Sequence, residues 1–216
     1  MPGREPIPVY VFTGFLESGK TQFIKEIIAD PDFTENERTA LLLCEEGIEE
    51  YDEREMMRYG TAIVPIESPE RLTPNILKRV EQKYDPDRIL IEPSGVGKLS
   101  DVIAAVQNAH LEVQLNSFVT VVDALKAKMY LKNFGEFFEN QVAHAGAILL
   151  SRTAECPEKR LDETVAMLRG LNEHARIVTT PWKDLTGAHG RQPRPRCGGS
   201  RGDRARAAPR ASSSPP

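Results

Sequence analysis

Short apolar runs alternate along the chain with segments whose apolar residues recur every three or four positions. Seven runs are nearly continuous in apolar residues, which is typical of strands that are buried on both faces of a sheet. The strands predicted in this way are residues 7–12, 40–44, 62–66, 88–91, 118–122, 147–150 and 176–178.

The segments between these runs have a helical period. A helix is predicted from residue 21 to Ala29, and Pro31 stops it soon after. Pro74 opens another helix, since a proline in the first turn lacks only an N–H that has no partner there. Two further apolar stripes are Leu99, Val102, Ile103 and Val106, and Leu161, Val165, Leu168 and Leu171. Strands separated by helices predict an α/β fold of three layers, with a mostly parallel central sheet and helices on both faces.

The turn after the first predicted strand carries the strongest chemical signal. Residues 14–21 read Gly-Phe-Leu-Glu-Ser-Gly-Lys-Thr and match the phosphate-loop pattern G-x-x-x-x-G-K-[ST]. Such a loop wraps its amides around a phosphate, while its lysine adds charge and its hydroxyl ligates Mg²⁺. We therefore assign nucleotide binding to Gly14, Glu17, Ser18, Gly19, Lys20, Thr21 and Gln22.

The end of the fourth predicted strand supplies a second element, Glu92-Pro93-Ser94-Gly95. A carboxylate at the carboxyl end of a parallel strand can hold Mg²⁺ or its water, and a nearby glycine N–H can contact a γ-phosphate. We assign Glu92 with Thr21 to the metal of the nucleotide, and Gly95 to the nucleotide. The alternative interpretation of these residues is a polar turn that closes a strand.

In these segments the chain resembles the CobW-type GTPases, a metallochaperone branch of the phosphate-loop NTPases that is related to HypB and UreG. Residues 14–22 read GFLESGKTQ where that family usually has GFLGSGKTT. Further matching segments are EPSGVGKLSDVI, VVDA at 121–124, QVAHAGAILLSR at 141–152 and TPW at 180–182. The resemblance covers residues 7–187 and implies a phosphate-loop NTPase fold, with slow GTP hydrolysis coupled to the delivery or insertion of a metal.

The resemblance implies GTP and Mg²⁺ as cofactors, with Lys20 and Glu92 as the catalytic residues. It also implies a client metalloprotein, and a homodimer is one assembly that it allows. Three features depart from the family. The usual C-x-C-C thiolate site is replaced by residues 57–64, which contain no cysteine. The alternative function is therefore a nucleotide-dependent switch or assembly factor with no metal site of its own.

The usual N-E-F-G is replaced by Cys44-Glu45-Glu46-Gly47. One thiol and several carboxylates can bind a divalent metal, so Cys44 and Glu45 are candidate ligands for Zn²⁺ or Co²⁺. The other interpretation is a buried cysteine beside solvated acidic residues.

The base-recognition motif N-K-x-D appears as Ser151-Arg152-Thr153-Ala154 and lacks the aspartate that binds guanine. Ser151 and Arg152 remain candidates for contact with the nucleotide, because an arginine stem can stack on a base. Glu155 is a candidate substitute for the aspartate. Asp123 is a candidate catalytic residue, although a cap for the helix from Ala124 onward is the favoured interpretation. Trp182 is expected to pack on the last strand.

Charge separates the end of the chain from the rest. The chain has 28 basic and 32 acidic residues among 216, and residues 188–216 hold seven arginines and one aspartate. The first 187 residues therefore carry 21 bases and 31 acids, a net charge of −10. We expect residues 1–187 to form the nucleotide-binding domain. Residues 188–216 contain few apolar side chains, so we expect them to be a disordered tail. The abrupt enrichment in arginine suggests that this tail is translated out of frame.

Three expectations about the setting follow from composition. No apolar run reaches the roughly 20 residues of a membrane-spanning helix, and no secretion signal is evident at the start, so we expect a cytoplasmic chain without a membrane partner. The net charge of −4 makes nucleic acid an unlikely partner.

Overall fold

Seven strands form one parallel sheet in the part of the chain that the structure describes. The structure is a computed structural model, and it describes residues 6–34, 37–44, 51–66, 72–95, 97–109 and 113–182. The strands are β1 (Ile7–Gly14), β2 (Thr39–Leu43), β3 (Thr61–Pro65), β4 (Arg88–Glu92), β5 (Val113–Asp123), β6 (Ala147–Ser151) and β7 (Arg176–Val178). Their order is β3-β2-β4-β1-β5-β6-β7, and every pairing is parallel.

Helices connect these strands. They are α1 (Lys20–Ala29), α2 (Pro31–Thr34), α3 (Glu53–Arg58), α4 (Pro74–Tyr84), α5 (Leu99–Gln107), α6 (Ala127–Ala143) and α7 (Glu158–Leu171), with a short 3₁₀ turn at Thr153–Glu155. The proline at the start of α4 follows Thr73, whose hydroxyl accepts a hydrogen bond from the Ile76 N–H at 3.4 Å. This cap satisfies a donor that the first turn leaves unpaired.

Side chains of β1 alternate between two apolar layers. Val9 and Val11 pack into a core with residues of α4 and α5, whereas Tyr10 and Phe12 pack on the other face with α1 and α3. A third apolar cluster joins β5 and β6 to α6 and α7. The predicted α/β architecture, with helices on both faces of a parallel sheet, is confirmed.

Several boundaries differ from those expected from the sequence. The strand β5 begins five residues earlier than predicted, and its register against β1 shifts between Val9 and Tyr10. The short helices α2 and α3 were not predicted, because four and six residues contain too little periodicity to recognise. The expected tail at 188–216 lies outside the described residues, so its disorder stays a prediction.

The sheet order brings the chemical motifs together. Strand β1 lies between β4 and β5, so the loop after β1 is adjacent to the residues that end β4 and β5. Ligands of open parallel sheets bind at this carboxyl edge. Within the described ranges, no helix is long and apolar enough to cross a membrane.

Candidate nucleotide-binding site

The loop between β1 and α1 has an unusual backbone. Gly14 has a φ of 152° and Gly19 a φ of 94°, both in a region that side chains rarely adopt. A Cβ atom on Gly14 would lie 2.4 Å from the carbonyl oxygen of Val121 on β5. Glycine is therefore required where the loop passes the neighbouring strand. Glu17 also has a positive φ of 59°, although it carries a side chain.

Trp182 covers the outer side of this loop. A Cβ on Gly19 would lie 2.7 Å from its indole ring, and the ring centroid is 5.4 Å from that of Phe23 on α1. The indole N–H donates to the carbonyl of Leu150 at 3.2 Å. Trp182 therefore packs on the phosphate loop and α1, which are contacts that the sequence does not predict.

The carboxylate of Glu92 is the centre of the site. It ends β4 beside the loop, and its Oε1 accepts a hydrogen bond from the Thr21 hydroxyl at 2.8 Å. The ammonium of Lys20 lies 3.3 Å from the same oxygen, and Oε2 accepts a hydrogen bond from the phenol of Tyr51. Glu92 is 3% exposed and Lys20 is 5% exposed, so this is a nearly dry, compensated charge pair.

This geometry fits a triphosphate with a divalent cation. Thr21 donates its only proton to Glu92, which leaves its oxygen lone pairs available for a cation. The Ser18 hydroxyl is buried inside the loop, and no described residue offers it a hydrogen bond. An orphaned buried donor in such a loop is what an anion would satisfy.

A cleft of about 470 Å³ opens beside the loop. Its lining brings together the predicted residues Glu17, Ser18, Gly19, Lys20, Thr21, Gln22, Glu92 and Arg152. Four other predicted residues lie outside that lining: Gly14, Cys44, Gly95 and Ser151. Gln22 faces along its own helix, where its amide donates to Glu26 at 3.0 Å.

Arg152 ties the phosphate loop to the end of β5. Its guanidinium donates to the carbonyl oxygen of Glu17 at 2.9 Å and to the carboxylate of Asp123. Asp123 also accepts the N–H of Leu125 at 2.8 Å, which is a turn contact. The expectation that Asp123 caps the helix was wrong, because α6 begins at Ala127 with Lys126 in the N-cap position and no side-chain cap. The Lys126 ammonium donates to the Glu17 carboxylate at 2.7 Å, and this hydrogen bond lowers the pKa of Glu17 and raises that of Lys126.

Gly95 is held by a side chain that the sequence analysis did not assign to the site. The buried amide of Gln141 on α6 donates to the carbonyls of Gly95 and Gly97, at 3.1 and 3.0 Å. The turn after β4 is thereby fixed to α6. The segment QVAHAG that contains Gln141 was noticed only as part of a family pattern, and nothing in its local sequence pointed to this contact.

A family model described as the CobW/HypB/UreG nucleotide-binding domain matches residues 8–179. The chain belongs to this family. Two curated relatives are each 26% identical to it. Zinc-regulated GTPase metalloprotein activator 1 of Schizosaccharomyces pombe aligns over 203 residues, covering 84% of this chain and 47% of that protein. Zinc chaperone CobW of a Sinorhizobium species aligns over 183 residues, covering 68% and 51%.

A solved structure, the Zn(II)-bound YjiA GTPase of E. coli, matches the fold of this CobW-type chain. The TM-score is 0.64 at 21% identity, and the match covers 81% of this chain and 57% of YjiA. The identity is low enough that the likeness shows the fold alone. The chain spans about half the length of the curated relatives that it matches.

The candidate Zn²⁺ or Co²⁺ site at Cys44 and Glu45 is only partly within the described residues. Glu45 lies outside them. Cys44 follows β2 and packs at the edge of the core beside α4 and α5. Burial raises the pKa of its thiol to about 11, and the negative charge of Glu92 adds to the effect. The described residues contain no group of three histidine, cysteine or acidic side chains arranged to hold a metal.

Because the pKa of Cys44 is about 11, its thiol should be almost wholly protonated at pH 8, with roughly one molecule in a thousand ionised. Alkylation of Cys44 by iodoacetamide at pH 8 should therefore be about 100-fold slower in the folded chain than in urea. Peptide mass spectrometry would measure both rates. The rate in the folded chain should rise steeply toward pH 11, whereas equal folded and unfolded rates at pH 8 would contradict the burial of this thiol.

Proposed function

We propose that this chain binds GTP with Mg²⁺, hydrolyses it slowly and couples it to the handling of a metal ion or a metalloprotein cofactor. One observation carries the nucleotide part. Lys20 and Thr21, which are adjacent in the phosphate loop, both contact a buried carboxylate at the end of the neighbouring strand. That juxtaposition is the chemistry expected of a triphosphate site with its cation.

Each residue of the pair has a distinct role in this proposal. Lys20 neutralises the terminal phosphates, and the loop amides bind the remaining phosphate oxygens. Thr21 and Glu92 hold Mg²⁺, which when bound neutralises the charge that develops on the phosphates. Gly95 lies after β4, in a turn that Gln141 fixes, and its N–H is the candidate contact for the γ-phosphate.

Slow turnover agrees with how the charged side chains of the cleft are engaged. Glu92 is held by Lys20, Thr21 and Tyr51, so it is not aligned to activate a water. Arg152 is bound to Asp123 and to the backbone of Glu17, which keeps its charge on the protein. Phosphoryl transfer is accelerated greatly when an arginine reaches the transferring phosphate. A partner that supplied such a group would raise the rate.

The metal part of the proposal is supported by the names of relatives, which include a zinc-regulated metalloprotein activator and a zinc chaperone. A client metalloprotein is the partner that such a role requires.

One observation favours the second candidate function, an assembly factor without its own metal. The described residues hold no metal-ligand cluster, and the thiol of Cys44 must lose a proton from a raised pKa before it can ligate.

Lys20→Ala should weaken binding of a fluorescent GTP analogue by about 10- to 100-fold, because a charge-assisted contact is worth roughly 1.5–3 kcal/mol. Fluorescence anisotropy would give the affinity, and circular dichroism would confirm that the fold is kept. Lys78→Ala, which removes an exposed lysine on α4, is the matched control. If Lys20→Ala binds the analogue as tightly as the parent does, the phosphate-loop assignment is wrong.

Preference for GTP over ATP should be modest, about tenfold, because the carboxylate that would pair with guanine is absent from Ser151-Arg152-Thr153-Ala154. Competition of GTP and ATP against the same fluorescent analogue would measure the ratio. A preference for GTP over ATP of several orders of magnitude would contradict this expectation. The variant Glu155→Gln would then show whether Glu155, which is exposed at the end of the 3₁₀ turn, supplies the missing acceptor.

Cys44→Ser combined with Glu45→Gln should reduce binding of Zn²⁺ or Co²⁺, since these residues provide the thiol and a carboxylate of the candidate site. Equilibrium dialysis against Zn²⁺, Co²⁺ and Ni²⁺, with and without GTP, would measure it. Cys156→Ser is the matched control, and nucleotide affinity should stay unchanged in both variants. Metal binding that is absent from the parent would favour the assembly factor, and binding that survives the double substitution would place the metal elsewhere.

A further inference from the structure

Tyr51 makes a contact that no motif of the chain includes. Its phenol donates a hydrogen bond to Oε2 of Glu92, across 41 positions of sequence. Tyr51 is 6% exposed and Glu92 is 3% exposed, so both partners of this contact are buried. A hydrogen bond to a carboxylate in such surroundings is stronger than a neutral one and costly to lose.

The two oxygens of Glu92 are divided between different partners. Oε1 faces the phosphate loop, where it meets the hydroxyl of Thr21 and the ammonium of Lys20. Oε2 accepts the hydrogen bond of Tyr51. The phenol therefore sets the rotation of the carboxylate and keeps Oε1 directed at the atoms that would hold the cation.

Packing fixes the position of the phenol. The Tyr51 ring lies in the apolar cluster that contains Phe12, Ile24 and Leu43, and the Lys25 ammonium is 5.4 Å from its centroid. The next residue, Asp52, caps α3 by accepting the N–H groups of residues 54 and 55 at 2.8 and 3.2 Å. Apolar packing therefore holds the Tyr51 ring, and the cap at Asp52 holds the backbone next to it.

The backbone of Glu92 is tied to the same region of the chain. The N–H of Cys44, at the end of β2, donates to the Glu92 carbonyl at 3.0 Å. Cys44 therefore contacts the main chain of Glu92, and Tyr51 contacts its side chain. The main chain and the side chain of Glu92 are each restrained.

We infer that Tyr51 is a positioning residue for the Mg²⁺ of the nucleotide, acting through Glu92. The inference rests on the function proposed above. Partners that hydrogen-bond a metal-ligating carboxylate typically change metal affinity by about 10- to 100-fold when they are removed. Loss of the phenol would leave Oε2 buried without this donor and the carboxylate free to rotate away from Thr21.

The test uses the variant Tyr51→Phe, which removes one oxygen and keeps the packed ring. Anisotropy of a fluorescent, non-hydrolysable GTP analogue would be recorded over a series of Mg²⁺ concentrations and in EDTA. Binding in EDTA should match the parent, while the Mg²⁺ concentration at half-maximal effect should rise about tenfold. Tyr84→Phe, at the end of α4, is the matched control and should leave that concentration unchanged.

A double-mutant cycle separates positioning from general stability. In a Glu92→Gln background, Tyr51→Phe should cause no further shift in the Mg²⁺ requirement, because the coupled carboxylate is gone. A lower melting temperature with an unaltered Mg²⁺ requirement would show a purely structural role and overturn the inference. If Tyr51→Phe does not fold, 3-fluorotyrosine placed at position 51 provides a second measurement. A ¹⁹F chemical shift that stays the same when Mg²⁺ is added to the nucleotide-bound chain overturns the inference.

The same titration distinguishes this inference from the function on which it rests. A parent chain that binds the analogue no better with Mg²⁺ than in EDTA overturns the role proposed for Glu92, and the role of Tyr51 falls with it. A parent that responds to Mg²⁺, beside a Tyr51→Phe variant that responds identically, overturns only the role of Tyr51.

Discussion

The buried carboxylate of Glu92 is the constraint on which the site depends. An unpaired charge in this position would be expensive, so it must be matched by an opposite charge and by donors for both of its oxygens. Lys20, Thr21 and Tyr51 supply them. Lys20 and Thr21 come from the phosphate loop, and Tyr51 lies two positions before α3. The loop meets Glu92 because β4 lies beside β1 in the sheet. The strand order is therefore a condition for the chemistry.

The same sheet order limits which residues the phosphate loop can contain. Gly14 passes so close to the carbonyl of Val121 that a side chain there would collide with β5, and Gly19 lies against the ring of Trp182. The loop is thus held between strand and indole, and Arg152 fixes its middle through the carbonyl of Glu17. Such restraint keeps the loop amides in place before any phosphate arrives, which reduces the entropic cost of binding.

Local sequence could predict the strands, most helices and the phosphate loop, because periodicity and the G-x-x-x-x-G-K-[ST] spacing are properties of adjacent residues. It also placed Glu92 at a strand end next to that loop. It could not predict the contacts of Tyr51 with Glu92 or of Gln141 with Gly95, which span 41 and 46 positions. The contacts of Trp182 with Gly19 and Phe23 could not be predicted for the same reason, since these residues are more than 150 positions away.

The pairing of Lys20 with Glu92 also bears on how cation and nucleotide would depend on each other. In this structure the ammonium lies 3.3 Å from the carboxylate and serves as its counter-charge. On the proposed function, Lys20 must turn to the phosphates when nucleotide binds, which deprives Glu92 of a positive neighbour. A divalent cation at Thr21 and Glu92 restores that charge. Binding of the cation therefore removes the free-energy cost of leaving Glu92 without a counter-charge when the nucleotide binds. Linkage requires the coupling between nucleotide and cation to be reciprocal. Because Tyr51 holds the carboxylate in place, the cation can replace Lys20 at the same oxygen of Glu92.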